Sequence, residues 1–210
     1  IAANAIADDV YNAISAGQKT GDAVNFVTNS TKLAKAGFAE SSQTLDVLTT
    51  VLNAYGMSAD KVSTVSDMLV QTQNKGKVTV GELASSMGKI IPTANASNVS
   101  LEQLCAGYAI MTSKGIAAAE TTTYMNSMLN ELSKSGSTTD KLLRQKMGGS
   151  FAELMASGKS LGEILGGIQE EASKSGLALS DMFSSSEAGK AAMSLRQTEL
   201  TASIQAYKTW

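Results

Sequence analysis

The side chains that could do chemistry here are one cysteine, a few Ser/Lys pairs and some adjacent carboxylates. Histidine is absent and cysteine occurs once among 210 residues. His-based triads, Cys–His dyads, zinc fingers, iron–sulfur clusters and an intrachain disulfide framework are thereby excluded. Cys105 lies on the apolar stripe of a helical segment with no imidazole to activate it, so it reads as a small core residue. Two Ser-x-x-Lys strings, Ser58–Lys61 and Ser86–Lys89, have the spacing of a Ser–Lys nucleophile pair, but the other motifs of that hydrolase class are missing. Ser58 then reads as a helix start, and Ser86 with Lys89 as a wet helix face. Carboxylates that share acid–base work converge from different elements. Glu170 and Glu171, with Lys174 one turn on, are neighbours on one helix, as are Asp8 and Asp9, and both pairs read as solvated faces. A phosphate cradle follows a strand, and none precedes Gly148–Gly149–Ser150 or Gly166–Gly167. The first string reads as a helix stop followed by a cap, the second as a close helix contact. No catalytic, cofactor-binding or metal-binding residue is expected, and no cofactor.

The elements that would have to position any site are helical almost throughout. Leu45, Leu48, Leu52 and Tyr55 recur at steps of three and four, as do Leu101, Leu104, Cys105 and Tyr108. Val62, Val65, Met68 and Leu69 share a face, and so do Met125, Met128, Leu129 and Leu132, and Leu161, Ile164, Leu165 and Ile168. Ile6, Val10 and Ile14 make a stripe near the start, followed by Phe26, Val27 and Leu33. Such stripes bury one side of each helix. Capping boxes are expected at Thr79/Glu82, Ser100/Gln103, Ser150/Glu153, Ser160/Glu163 and Ser184/Glu187. A Lys precedes a Gly by one or two residues at Gly37, Gly76, Gly115, Gly136, Gly148 and Gly176, which marks helix ends. Pro92 is expected to end a helix and 92–99 to be a loop. The reading is an all-α, irregular bundle of about eight to ten short helices, with two lobes, 1–135 and 136–210, as the weakest boundary.

Composition sets further limits. The net charge is −2, so there is no basic field for a nucleic-acid backbone, and 43% hydrophobic residues are too many for disorder. The longest uncharged windows, 47–59 and 90–101, are too short and too polar to span a membrane. The chain begins with Ile1, which leads us to expect a fragment, a processed product or a chain whose start is missing. Ten methionines suit either loose helix packing or an adaptable partner surface. Gly37, Gly76 and Gly115 are evenly spaced, as in a helical repeat, although the flanking residues align poorly.

The ordered segments resemble the core region of phage tail tape measure proteins. The likeness is carried by Leu33–Gly37, Leu45–Gly56, Gln73–Gly76, Thr79–Ala84, Ile91–Ala94, Val99–Leu104 and Ala109–Gly115. Ser160–Leu165, Met182–Phe183 and Glu187–Ala192 continue it, so that it covers most of 20–195. No single motif is chemically diagnostic; the ordered set is the signal. The resemblance implies a virion structural protein that sets tail length during assembly. It implies a place in the tail tube lumen, and in the host cytoplasm during assembly. Its implied partners are the tail tube protein, tail assembly chaperones and tail tip proteins, with self-association as a further expectation. Family members often carry peptidoglycan-cleaving domains elsewhere, and nothing here matches them, so no enzymatic activity carries over. The short helices lead us to expect a compact module of a longer protein, with any rod-like ruler outside it. The other reading is a helical-repeat adaptor that binds partner peptides in a groove.

Overall fold

Local sequence dictates short helices, because Gly, Ser and Thr interrupt every apolar stripe within about four turns. The computed structural model describes residues 3–16, 20–37, 39–195 and 197–208. Among these there are thirteen α-helices and no strand. They are α1 (Ala3–Ser15), α2 (Thr20–Ala36), α3 (Ser41–Ala54), α4 (Val62–Lys75), α5 (Val80–Met87), α6 (Ile91–Ala96) and α7 (Leu101–Ser113). The rest are α8 (Ala118–Ser133), α9 (Thr138–Lys146), α10 (Phe151–Ala156), α11 (Leu161–Lys174), α12 (Ser186–Ser194) and α13 (Gln197–Tyr207). Single 3₁₀ turns occupy Ala59–Lys61 and Leu179–Met182. The count exceeds the eight to ten expected; two of the additional helices, α6 and α10, have six residues each and are too brief to show a period.

The centre of the bundle is α7. Every residue from Leu104 to Thr112 is buried, so this helix is covered on all sides instead of one. That is the behaviour of a helix apolar all round. Its stripe of large residues is complemented by Ala106, Gly107 and Ala109, whose small size lets neighbours approach from the other sides. Helices α4, α8, α12 and α13 all pack on it. The most extensive helix pair is α8 with α12, and α2–α3 forms the largest contact of the N-terminal part. A solenoid repeat would touch only its chain neighbours. Here α4–α7, α7–α13 and α8–α12 are joined across long stretches of chain, which disagrees with a regular superhelix.

The evenly spaced glycines do not all do the same job. Gly115 takes a left-handed backbone, φ +91°, and ends α7. Gly76 has an extended backbone and is needed for space, since a Cβ there would lie 2.5 Å from Thr112 Oγ1 and 3.0 Å from the Ala109 backbone. A Cβ on Gly37 would collide with Val80. The equal spacing therefore does not reflect equivalent positions.

Most start signals are where they were read. Full capping boxes form at Thr79/Glu82, Ser150/Glu153 and Ser160/Glu163. At Ser100 the hydroxyl accepts from the Gln103 backbone, but the Gln103 amide oxygen accepts from Leu161 N at 2.7 Å, tying α7 to α11. Ser185 caps α12 one residue later than expected, its hydroxyl accepting from the Ala188 backbone, while the N–H groups of Ser184 and Ser185 both go to Glu131.

Two expectations fail. Pro92 does not end a helix. It sits in the first turn of α6, where its missing N–H would have had no partner anyway. The stripe on α1 is not buried either. Ile6 and Ile14 are 39% and 40% exposed, while Asp9 and Ala13 face inward at 4% and 0%. Helix α1 packs on α2 and α3, and the residues it buries there are Asp9 and Ala13 instead of the bulky stripe. Asp9 is thus no solvated face, although Asp8 is exposed.

These contacts make a specific forecast. Gly76→Ala should lower stability by about 1–3 kcal/mol through overpacking against α7, whereas Gly21→Ala, whose Cβ meets nothing within 4 Å, should raise it by up to about 1 kcal/mol. Urea midpoints of the two variants against the parent chain give the comparison. Small-angle scattering should give a radius of gyration of about 17 Å for a compact chain of this length.

Candidate functional site

The residues singled out for chemistry do not assemble. Cys105 is fully buried in α7, and burial pushes its thiol up to about 12. The group beside it is Thr72 of α4, whose hydroxyl also pairs with the Tyr207 hydroxyl at 2.9 Å. This is a polar knot between three helices, with no base in reach to make a thiolate. Burial also raises the Tyr207 phenol, as it does those of Tyr55 and Tyr108, so these groups stay neutral hydrogen-bonding partners.

The Ser/Lys strings are separated by the fold. Helix α5 ends at Met87, before Lys89. Ser86 is 8% exposed and Lys89 is out in solvent, so the reading of both as one wet face holds only for the lysine. Ser58 starts the 3₁₀ turn, and its hydroxyl donates to the Asp60 carboxylate. Lys61 is exposed beyond it.

Glu170 and Glu171 lie on the surface of α11. Lys174 Nζ is 2.7 Å from Glu171 and 3.6 Å from Glu170, and Lys146 of α9 reaches Glu171 at 3.7 Å. The Lys174 hydrogen bond holds the Glu171 carboxyl below its usual range, and the Glu171 partner raises the Lys174 ammonium. It is a surface charge network that ties α11 to α9, as a solvated face would give. Among the glycines, Gly148 takes the left-handed turn that ends α9, and Ser150 caps α10. A Cβ on Gly167 would lie 2.8 Å from Met147 Sδ, so this glycine admits a close approach within an unbroken α11. Among the described residues no group of three or more Cys, Asp or Glu could hold a metal ion. No helix among them is long and apolar enough to cross a membrane.

What sequence reasoning missed is a set of polar ties between helices. The Ser30 hydroxyl of α2 and the Thr44 hydroxyl of α3 are 2.8 Å apart, and Thr44 also donates to the Ser30 carbonyl. Tyr108 of α7 bonds the Thr122 hydroxyl of α8. Asp140, buried at the start of α9, accepts from Gly136 N at 2.8 Å and from Arg144 Nε at 3.0 Å. The most informative tie is Glu131 of α8. Its two oxygens accept the backbone N–H groups of Ser184 and Ser185 at 2.8 Å each, where the chain turns into α12. Burial pushes this carboxyl up, and the two N–H donors outweigh burial to hold it below the ordinary value. The available signal was the polar run Ser184–Ser186 before an apolar helix; its distant partner had no signal.

Polar ties staple the helices to one another, and the nucleophiles and carboxylates singled out from the sequence lie apart. The chain belongs to the phage-related minor tail protein family, whose model matches residues 1–202. A relative in Clostridium phage phiCD119, a probable tape measure protein, is 40% identical over 205 residues. That match covers 93% of this chain and 22% of the phage protein, so the chain spans about a fifth of the length of this curated relative. No solved structure matches the chain. The chain is therefore related to structural components of phage tails, as its ordered segments led us to expect.

Two measurements follow from the site. A glutamate with a depressed folded pKa contributes stability above its unfolded value, near 4.5, and loses it as pH falls through the lower folded value. Glu131→Gln should therefore cost about 1–2 kcal/mol at pH 7, with parent and variant converging as the pH drops below that folded value; urea titrations across pH 3–7 read this out. Cys105 should resist thiol reagents at pH 8 in the folded chain, with labelling that follows unfolding alone, as a stopped-flow chromogenic assay would register.

Proposed function

We propose that residues 1–210 form a compact, non-enzymatic module of a tail tape measure protein, one that takes part in tail length determination and tail assembly. The observation that supports this best is the 205-residue match at 40% identity to the probable tape measure protein. In this reading the module resides in the tail tube lumen of the virion, and in the host cytoplasm during assembly. It meets the tail tube protein, tail assembly chaperones and tail tip proteins. Residues 1–135 and 136–210 act as two lobes, held together by α8–α12 and α7–α13.

Helix length bears on how such a module would work. As one continuous helix, 210 residues would span about 315 Å at roughly 1.5 Å per residue. The longest helix among the described residues is α2, with 17 residues. A ruler stretch then belongs to the polypeptide outside this region, and the folded module serves as a fixed end or handling point for it.

In-frame deletions in the phage gene test this. Removing sequence outside residues 1–210 should shorten tails by about 1.5 Å per residue if the ruler is helical. Removing a helix such as α7 should block tail formation instead of shortening tails. Tail lengths by negative-stain microscopy decide it: proportional shortening by deletions inside the module would reject the handling role. Unchanged tails in both series would reject the tape measure reading altogether.

A further inference from the structure

Every helix from α2 to α13 carries, within itself or at its cap, a side-chain hydrogen bond or ion pair to another part of the bundle. Ser30 with Thr44 joins α2 to α3, Gln73 with the Val80 N–H joins α4 to α5, and Glu131 holds the entrance to α12. The other helices have ties of the same kind. Helix α1 differs. Its main packing is on α2 and α3, and among the described residues none of its side chains bonds to another helix. The seam that seats it runs at steps of four through Ala5, Asp9 and Ala13. Ala13 and Asp9 are buried and Ala5 is half-buried. Two methyl groups and a carboxylate offer little apolar area. The carboxylate also opposes the seat, because its Oδ2 is buried with no hydrogen-bond partner. Ile6, Tyr11 and Ile14 are exposed about a quarter-turn away, so docking gains little from them. The surface underneath does not need α1, since α2 and α3 are tied to each other and rest on α4 and α5.

We propose that α1 is a releasable strap: it leaves the α2–α3 surface as one unit while α2 to α13 stay folded, and Asp9 is the residue that keeps its seat weak. Segments that open below the global unfolding energy are those with few buried apolar contacts. Helix α1 combines that deficit with the lack of any polar tie and with a carboxylate on the buried side. An apolar residue in place of Asp9 would fasten the helix, so the carboxylate sets how readily it lets go. Release leaves the centre undisturbed, because α1 makes no substantial contact with α7. The N-terminal end of the chain can therefore open and reseat without loss of the bundle. The inference stands apart from the tape measure role and survives if that role fails.

Native-state hydrogen exchange in the full-length protein at pH 7, read by mass spectrometry on peptides from α1, α3 and α7, tests it. In the parent, α1 amides should exchange at least about a hundredfold faster than those of α3 and α7 after correction for intrinsic rates. Asp9→Asn removes the charge at nearly constant size and should slow α1 exchange by about tenfold, with α3 and α7 unchanged. Asp8→Asn, on the exposed side, is the control and should stay within about twofold of the parent. Asp9→Ala is the second variant and should slow α1 at least as much as Asp9→Asn. Exchange of α1 as slow as that of α3 in the parent would show a fused helix and overturn the proposal. So would faster or unchanged α1 exchange in Asp9→Asn, which would make the carboxylate an anchor or a bystander. Slowing in Asp9→Ala alone would assign the effect to helix propensity and remove Asp9 from its role. Parallel changes in α1 and α7 would show that no separate unit opens. Unchanged α7 protection shows that each variant is folded.

Discussion

The fold depends on one helix being buried on every side. Once α7 is enclosed, each neighbour must present a surface that fits a different side of it, and the arrangement of the bundle follows. Small residues make the enclosure feasible. A Cβ on Gly107 would lie 2.6 Å from Met125 Sδ, and Gly76 brings the end of α4 against Ala109 and Thr112. Where small residues leave irregular gaps, methionine fills them: Met87, Met111, Met125 and Met128 are buried and Met147 packs against Gly167. An unbranched thioether adapts to such shapes at low rotamer strain. Only Met193, at 36%, is among the exposed large apolar residues, so the methionine content belongs to packing and not to a partner surface.

Close packing of small residues has a corollary for polar groups. Helices rich in Ser and Thr bring hydroxyls into dry interfaces, where an unpaired one is costly. The bundle meets this with cross-helix pairs, Ser30 with Thr44, Tyr108 with Thr122, Thr72 with Tyr207 and Ser97 with Ser133. These bonds are directional, unlike the apolar contacts around them, and so fix how one helix is rotated against another. Glu131 does the same at a helix entrance, by supplying acceptors to two N–H groups that α12 cannot satisfy itself. Apolar area thus supplies cohesion, and a few polar ties supply register.

The all-α class was legible because each stripe carried its own start and stop signals, as at Thr79/Glu82 and Ser160/Glu163. The kinship with tail proteins was legible because many short segments recur in a fixed order, although none is diagnostic by itself. Three things were not. Pro92 was misread because proline disfavours a helix interior yet suits a first turn, and the choice depends on where the chain goes next. The sides of α7 beyond its stripe gave no signal, because Ala and Gly are as acceptable in water as in a core. The stripe on α1 was read as buried because amphipathicity reports which face prefers burial, not which face the neighbours leave room for.

Residue order alone determined the all-α class, most of the longer helices and the absence of histidine chemistry, because caps, stops and periodicity act over one or two helical turns and composition needs no geometry at all. Tertiary structure alone decided that α7 is central, that Glu131 holds the entrance to α12, and that Asp9 lies inside while Ile6, Tyr11 and Ile14 lie outside. Those outcomes depend on contacts between residues far apart in the chain, where the winning arrangement is set by the fit of many surfaces at once. No local window of sequence contains that competition.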